Sequence, residues 1–369
     1  MNNNPYDYLK SELSRLSQEN NVKKNIQLDE FLEKEIFSLN SLNSSFFNNK
    51  ELQYNIKEKI SDLKVPINGQ DEYSYWLLDR HSSLIKSIAE ENNVKIPEDI
   101  LLGTLPIQTL DAYTREFPNK QKLVVLSHGL FLFLHSMGNI VASFFTSQTD
   151  NINKKFEKFD LNTKTILNNV INNKEKNINF VNVLVLYYMD KNYIPLKKQL
   201  TNHDSLALLF YDIAELFIVS HEYSHILLDH LTNNKKNKKK FLDDKSELYN
   251  ILRNWEDEYS ADELALQFIL ACSNKNKYGF FGSYFGVEFL FGCISIIEEI
   301  YGIEETETHP SAEMRIDRLR IALKKYLPEE SSSIVEGSKI AYDIISDLWN
   351  SNNDKFFSVL ERVYSIINV

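Results

Sequence analysis

Residues 204–232, DSLALLFYDIAELFIVSHEYSHILLDHLT, decide how this chain is read. Asp204-Ser205 can cap a helix. Leu206, Leu209, Phe210, Ile213, Phe217, His221, Ser224, His225 and Leu228 then recur at helical spacing along one face, to an end near Thr232. Within it, His221-Glu222-Tyr223-Ser224-His225 sets two imidazoles four residues apart, on one side of the helix and close enough to bind a single Zn²⁺. Glu222 points beside the metal, where a base takes a proton from metal-bound water. Both histidines lie on the apolar face, where an uncharged imidazole needs a hydrogen-bond partner and a metal gives a pair its reason.

A second helix is expected over about 246–272, with Ile251, Trp255, Glu258, Asp262 and Ile269 along one stripe. Two carboxylates thus fall on a face that should be buried, and an unpaired buried carboxylate costs several kcal/mol or protonates. Zn²⁺ at Glu258 and a histidine N–H at Asp262 would remove both penalties. Two His and one Glu with an open water position form a catalytic zinc set, about one zinc per chain. The competing reading of these acids is a structural ion-pair network.

Glu258-Tyr259-Ser260-Ala261-Asp262 has the form Glu-x-x-Ala-Asp, and Thr308-His309-Pro310-Ser311-Ala312-Glu313-Met314-Arg315-Ile316 carries a His-Pro followed by an Arg-Ile. With the two histidines, these stretches resemble the gluzincin peptidases of the HtpX, Ste24 and Oma1 kind. Upstream, Leu110-Asp111-Ala112-Tyr113, residues 123–127 and Gly129-Leu130 are similar to that family's edge strand, second strand and helix start, with Asp111 where the family has asparagine. The resemblance covers roughly residues 100–330 and implies a zincin-like core with Glu258 as the third ligand. It also implies a place for His309 near the site, donating to the anionic tetrahedral intermediate. The residues themselves equally allow His309-Pro310 to open a helix capped by Ser311. Arg315 pairs either with a site carboxylate or with a surface acid. The family is commonly membrane-embedded and lacks this chain's helical N-terminus and its insertion at 146–203.

Around this centre the expected fold class is α+β, mostly helical, with a small antiparallel sheet. Residues 1–95 read as an N-terminal region of amphipathic helices at 6–17, 28–39, 52–63 and 73–88, a scaffold or a site for a regulatory partner. Strands are expected at 100–105, 109–115 and 123–127, broken by Gly103, Pro106, Pro118 and Asn119, followed by a helix from Gly129 to about Phe145. The Asn- and Lys-rich residues 146–178 read as a surface insertion, and 180–189 as either a buried strand or a buried helix. The peptidase domain spans 96–330, and two or three helices follow Pro310, those of 331–369 packing on the core. Residues 278–300 could span a bilayer by length, but Glu288, Glu298 and glycines favour a buried helix.

Lys and Arg total 41 against 52 Asp and Glu, a net charge of -11, so no nucleic-acid partner is expected. Cys272 and Cys293 read as buried thiols in a reducing compartment, and the polar N-terminus lacks the pattern of a secretory signal, so a cytoplasmic protein is expected. His128, His135, His203 and His230 read as satisfied core or surface histidines, and the lysines at 235, 236 and 238–240 as a solvated loop. The function expected is a zinc-dependent endopeptidase whose protein or peptide substrate docks on an edge strand near 109–115. Two alternatives stay open. One is a selective protease cutting one host factor or repressor in phage exclusion or stress response, to which the Lit-type peptidases are a distant comparison. The other is a non-catalytic scaffold braced by zinc.

Overall fold

The run Leu123-Val124-Val125-Leu126 has no exposed residue, as expected of a strand covered on both faces. It belongs to β3 (Lys122–Ser127), which lies between β1 (Ile100–Leu105) and β2 (Ala112–Glu116). Side chains alternate across a strand. Leu123 and Val125 accordingly pack with Leu9, Leu13 and Leu16 of helix α1 (Pro5–Glu19), while Val124 and Leu126 join the main core. At Gly103 of β1 a Cβ would come 2.5 Å from Leu9 Cδ2, so any side chain there would have to displace the end of that leucine. The sheet is mixed, not antiparallel as expected: β2 pairs β3 antiparallel, but β1 pairs it in parallel. Residues 106–107 and 109–111 form no hairpin. They cross the end of β3, held where Ser127 N donates to Asp111 O and Gly129 N to Ile107 O, both at 2.8 Å.

A computed structural model describes residues 4–19, 67, 69–107, 109–145, 147–148, 158–188, 204–231, 244–273, 278–303 and 309–367. The helices expected at 28–39 and 52–63, and the loop at 235–240, lie outside them. The described helices are α1, α2 (Glu72–Glu91), α3 (His128–Ala142), α4 (Thr163–Asn172), α5 (Lys174–Tyr188), α6 (Asp204–Leu227), α7 (Asp244–Ser273), α8 (Gly279–Tyr301), α9 (Ala312–Tyr326) and α10 (Ser331–Ile367). A two-stranded pair, β4 (Ser147–Gln148) and β5 (Lys158–Phe159), precedes α4. The protein is mostly helical, with one small three-stranded sheet.

Two stretches depart from expectation. The Asn- and Lys-rich segment is not confined to the surface: α4 and α5 bury Ile166, Val170, Phe180, Val183 and Leu184 in the main core, and α5 makes the described part of the ambiguous run, 180–188, helix. The central helix α6 is apolar on several sides, burying Leu206, Ala207, Leu208, Phe210, Ile213, Ala214, Leu216, Phe217 and Val219, whereas Leu228 is exposed. Such a helix belongs inside a protein, and α2, α3, α7, α8 and β2 all pack on it.

Helix α8 is long and apolar enough to cross a membrane, yet 72% of its most apolar window is buried inside the molecule. Its Glu288, fully buried, receives a two-pronged bond from Arg320 of α9 (2.9 and 2.7 Å), which answers the cost of a charge there. A Cβ at Gly286 would lie 2.5 Å from Ile213 Cβ, so this glycine sets how closely α8 approaches α6. Cys272 and Cys293 are buried thiols, and burial pushes Cys293 well above the usual thiol range.

Candidate metal centre

Helices α6 and α7 run antiparallel where they meet: His221 reaches Glu258 and Asp262, and His225, one turn on, reaches Glu258. The Nε2 atoms of His221 and His225 are 3.0 Å apart, and each lies 3.4 Å from a carboxylate oxygen of Glu258. Ligands about 2.0–2.1 Å from one zinc ion at tetrahedral angles lie about 3.3 Å apart, so the donor atoms have a metal-binding separation. Glu258 is buried, with His309 Nδ1 3.1 Å from its Oε2 and the Nε2 atoms of His221 and His225 grouped around the same carboxylate, a donor set that a cation between the three groups would satisfy. The Nδ1 atoms of both histidines are already engaged, so both Nε2 atoms are left to face Glu258. A divalent metal fits this set.

Asp262, 1% exposed, accepts from His221 Nδ1 at 2.8 Å. It also takes Arg315 Nε on Oδ2 at 2.8 Å and Arg315 Nη2 on Oδ1 at 2.7 Å. Of the two partners open to Arg315, the site carboxylate is the one observed. Arg315 shares the apolar stripe of α9 with Ala312, Ile316 and Leu319, a signal already present in the sequence. His309 is 58% exposed, with Nδ1 3.1 Å from Glu258 Oε2, while Ser311 caps α9 through Met314 N; its two open readings coexist.

Glu222 is buried, and Thr114 of β2 donates to its Oε2 at 2.7 Å. Thr114 was not singled out in the sequence, because only the packing of the sheet on α6 shows which strand side chain meets this carboxylate. His128 bonds Ser74 (2.8 Å) and His135 bonds Glu215 (2.8 Å), as satisfied core histidines should; His203 is outside the described residues. His230 is likewise a buried histidine with partners, and one of them is a site residue: its Nδ1 lies 3.0 Å from His225 Nδ1, at the edge of the site.

The electrostatics favour a cation. Burial pushes the Glu258 carboxyl up, but the imidazoles of His221, His225 and His309 outweigh it and hold the group far below the carboxylate range. Burial likewise opposes ionisation of Asp262, yet Arg315 and His221 keep it below its ordinary value. Burial lowers His221, but Asp262 and Glu258 prevail and push it up to about 10.

A model of the family described as Peptidase U49 matches residues 142–336, a span holding His221, Glu222, His225, Glu258, Asp262, His309 and Arg315. It is a peptidase family distinct from the HtpX, Ste24 and Oma1 kind that the motifs resemble. No curated protein and no solved structure matches the chain.

Proposed function

Since the chain belongs to the Peptidase U49 family, we propose that it is a zinc-dependent endopeptidase, with His221, His225 and Glu258 holding the metal and Glu222 as general base. The observation that carries this reading is the convergence of the His221 and His225 Nε2 atoms, 3.0 Å apart, on the two oxygens of one buried carboxylate, Glu258, each at 3.4 Å. When bound, zinc would lower the pKa of a water and polarise the scissile carbonyl. Glu222, one residue from the first ligand and held by Thr114, takes the proton of the attacking water as its oxygen bonds the carbonyl carbon. The same proton then passes to the leaving amine as the C–N bond breaks. His309 donates to the carbonyl oxygen as it gains negative charge. Among the described residues β2 pairs with β3 alone, and its other edge would take an extended substrate by main-chain hydrogen bonds. A metal that only braced the fold would leave no use for a buried carboxylate at 222.

The test is elemental analysis of the wild type, Glu258→Gln and Glu222→Gln, together with digestion of unfolded casein. About one zinc per wild-type chain is expected, lost or weakened at Glu258→Gln, while Glu222→Gln keeps the metal and loses at least ~100-fold in cleavage. A folded wild type that takes up no zinc, or unchanged cleavage by Glu222→Gln, overturns the reading. Casein spared by a zinc-loaded wild type would point instead to an enzyme selective for one protein target.

A further inference from the structure

The two ligand histidines are braced differently: His221 by the carboxylate of Asp262, His225 by a third imidazole. In an uninterrupted helix, residues 225 and 230 would sit about 140° apart around the axis, at roughly 100° per residue. They meet because the helix ends at Leu227 and Asp229 takes a left-handed backbone, φ +57, which swings His230 back over the helix end. A non-glycine residue in this conformation is a strained choice that the surroundings must hold. What it achieves here is one contact, His225 Nδ1 to His230 Nδ1 at 3.0 Å.

The protons along this contact are determined by chemistry. If His225 Nε2 is to offer its lone pair to a metal, the ring's proton must sit on Nδ1 and be donated to His230. His230 then accepts on Nδ1 and carries its own proton on Nε2. That atom lies 3.4 Å from Ser260 Oγ and 3.6 Å from Asp257 Oδ1, both on α7. Ser260 spends its own proton on the Glu256 carbonyl at 2.8 Å, which leaves its oxygen free to accept.

We propose that His230 is the positioning residue of the second ligand, fixing the tautomer and ring orientation of His225 through an acceptor at Nδ1 and backed by Ser260 and Asp257. The proposal rests on the zinc reading of the site. It makes the brace of His225 a neutral acceptor, where His221 has a charged one, and it ties both ligands to α7, which also supplies Glu258.

Zinc affinity, measured by competition with a fluorescent chelator, tests this on wild type, His230→Ala, His230→Asn and His230→Gln, with the visible spectrum of each cobalt-loaded protein as a second readout. Loss of an outer partner of a ligand typically weakens metal binding about 10- to 100-fold, the fall expected for His230→Ala together with a shifted cobalt band. Asn carries its Oδ1 where His has Nδ1, so His230→Asn should recover most of the affinity. Gln carries its oxygen one atom farther out and should not. Wild-type zinc uptake with His230→Ala within twofold of it, or with Asn no better than Ala and Gln, overturns the role of His230 and leaves the zinc reading standing. No uptake by the folded wild type removes both. Should His230→Ala fail to fold, the ordering of Asn above Gln still decides.

Discussion

Replacing Arg315 by Met keeps most of the length and the apolar stem of the side chain and removes the guanidinium. Asp262, 1% exposed, would then keep His221 alone in place of the paired bonds at 2.8 and 2.7 Å from Arg315. Breaking a buried ion pair from one side costs about 3–5 kcal/mol, since the remaining charge is left uncompensated. His221 can still supply a proton, which places the expectation at the low end, ~3 kcal/mol. Unfolding entropy is about 2.1 cal/mol/K per residue; over 369 residues that is roughly 0.8 kcal/mol/K, so the melting temperature should fall by about 4 °C. The assay is denaturant and thermal unfolding of the chelator-stripped protein at pH 7. A double-mutant cycle isolates the charge: on an Asp262→Asn background, Arg315→Met should cost no more than ~1 kcal/mol. Asp262 is held below its ordinary pKa, so its stabilisation is present above the unfolded value and lost as pH falls through the folded one. That acid-side loss should shrink in Arg315→Met. A cost below ~1 kcal/mol for the single variant, with no coupling in the cycle, would show that Arg315 is solvated in solution and that the buried pair does not form.

Three further perturbations follow from single contacts. Thr114→Val removes the bond to Glu222, worth about 1.5–3 kcal/mol to a charged acceptor at most; kcat should drop roughly tenfold with zinc content unchanged, and Thr114→Ser should restore it, so equal activity in all three proteins would discard Thr114 as an orienting group. Burial pushes Glu298 up to about 7 despite the Ala312 amide and the Arg315 charge. Its folded pKa therefore exceeds its unfolded one, and its contribution is full below the unfolded value and lost as pH rises through about 7. Unfolding midpoints at pH 5 and pH 8 should differ less in Glu298→Gln than in wild type, and an unaltered difference would contradict this. Gly286→Ala drives a methyl to 2.5 Å from Ile213 Cβ and should cost about 1–3 kcal/mol; a neutral effect in chemical unfolding would mean that the two helices separate freely.

What the sequence discloses about this site depends on whether geometry follows from spacing. His221 and His225 were legible because a four-residue step returns to the same side of any helix, and Glu258 and Asp262 because the same step makes two acids one stripe. His230 was not, because its approach to His225 depends on the left-handed Asp229, and nothing in Leu227-Leu228-Asp229-His230 demands that turn. Arg315 could have been placed from its position on the apolar stripe of α9, a signal outweighed by the general preference of arginine for water. The parallel pairing of β1 escaped because strand signals are local, while the path of residues 106–111 over β3 is a tertiary matter. In α4 and α5 the asparagines and lysines hid a thin apolar face that becomes core once α10 lies against it.

The apolar character of α6 raises the question of what fixes its rotation. A helix with apolar residues on several sides gains comparable burial in more than one orientation about its axis, so the hydrophobic term discriminates weakly among them. The polar groups discriminate strongly, because each would be buried unpaired in any other orientation at a cost of about 1–3 kcal/mol or more. Glu215 takes His135 and His81 from α3 and α2, Tyr223 bonds Ser82, Glu222 meets Thr114, and His221 meets Asp262. These partners come from different elements around the helix, and turning it by one residue, about 100°, would break all of these pairings together. Precise placement of His221, Glu222 and His225 would therefore not depend on a metal. The pairings that specify how α6 sits in the core also aim the imidazoles at Glu258, which predicts that, on the zinc reading, little of the protein has to move on metal binding.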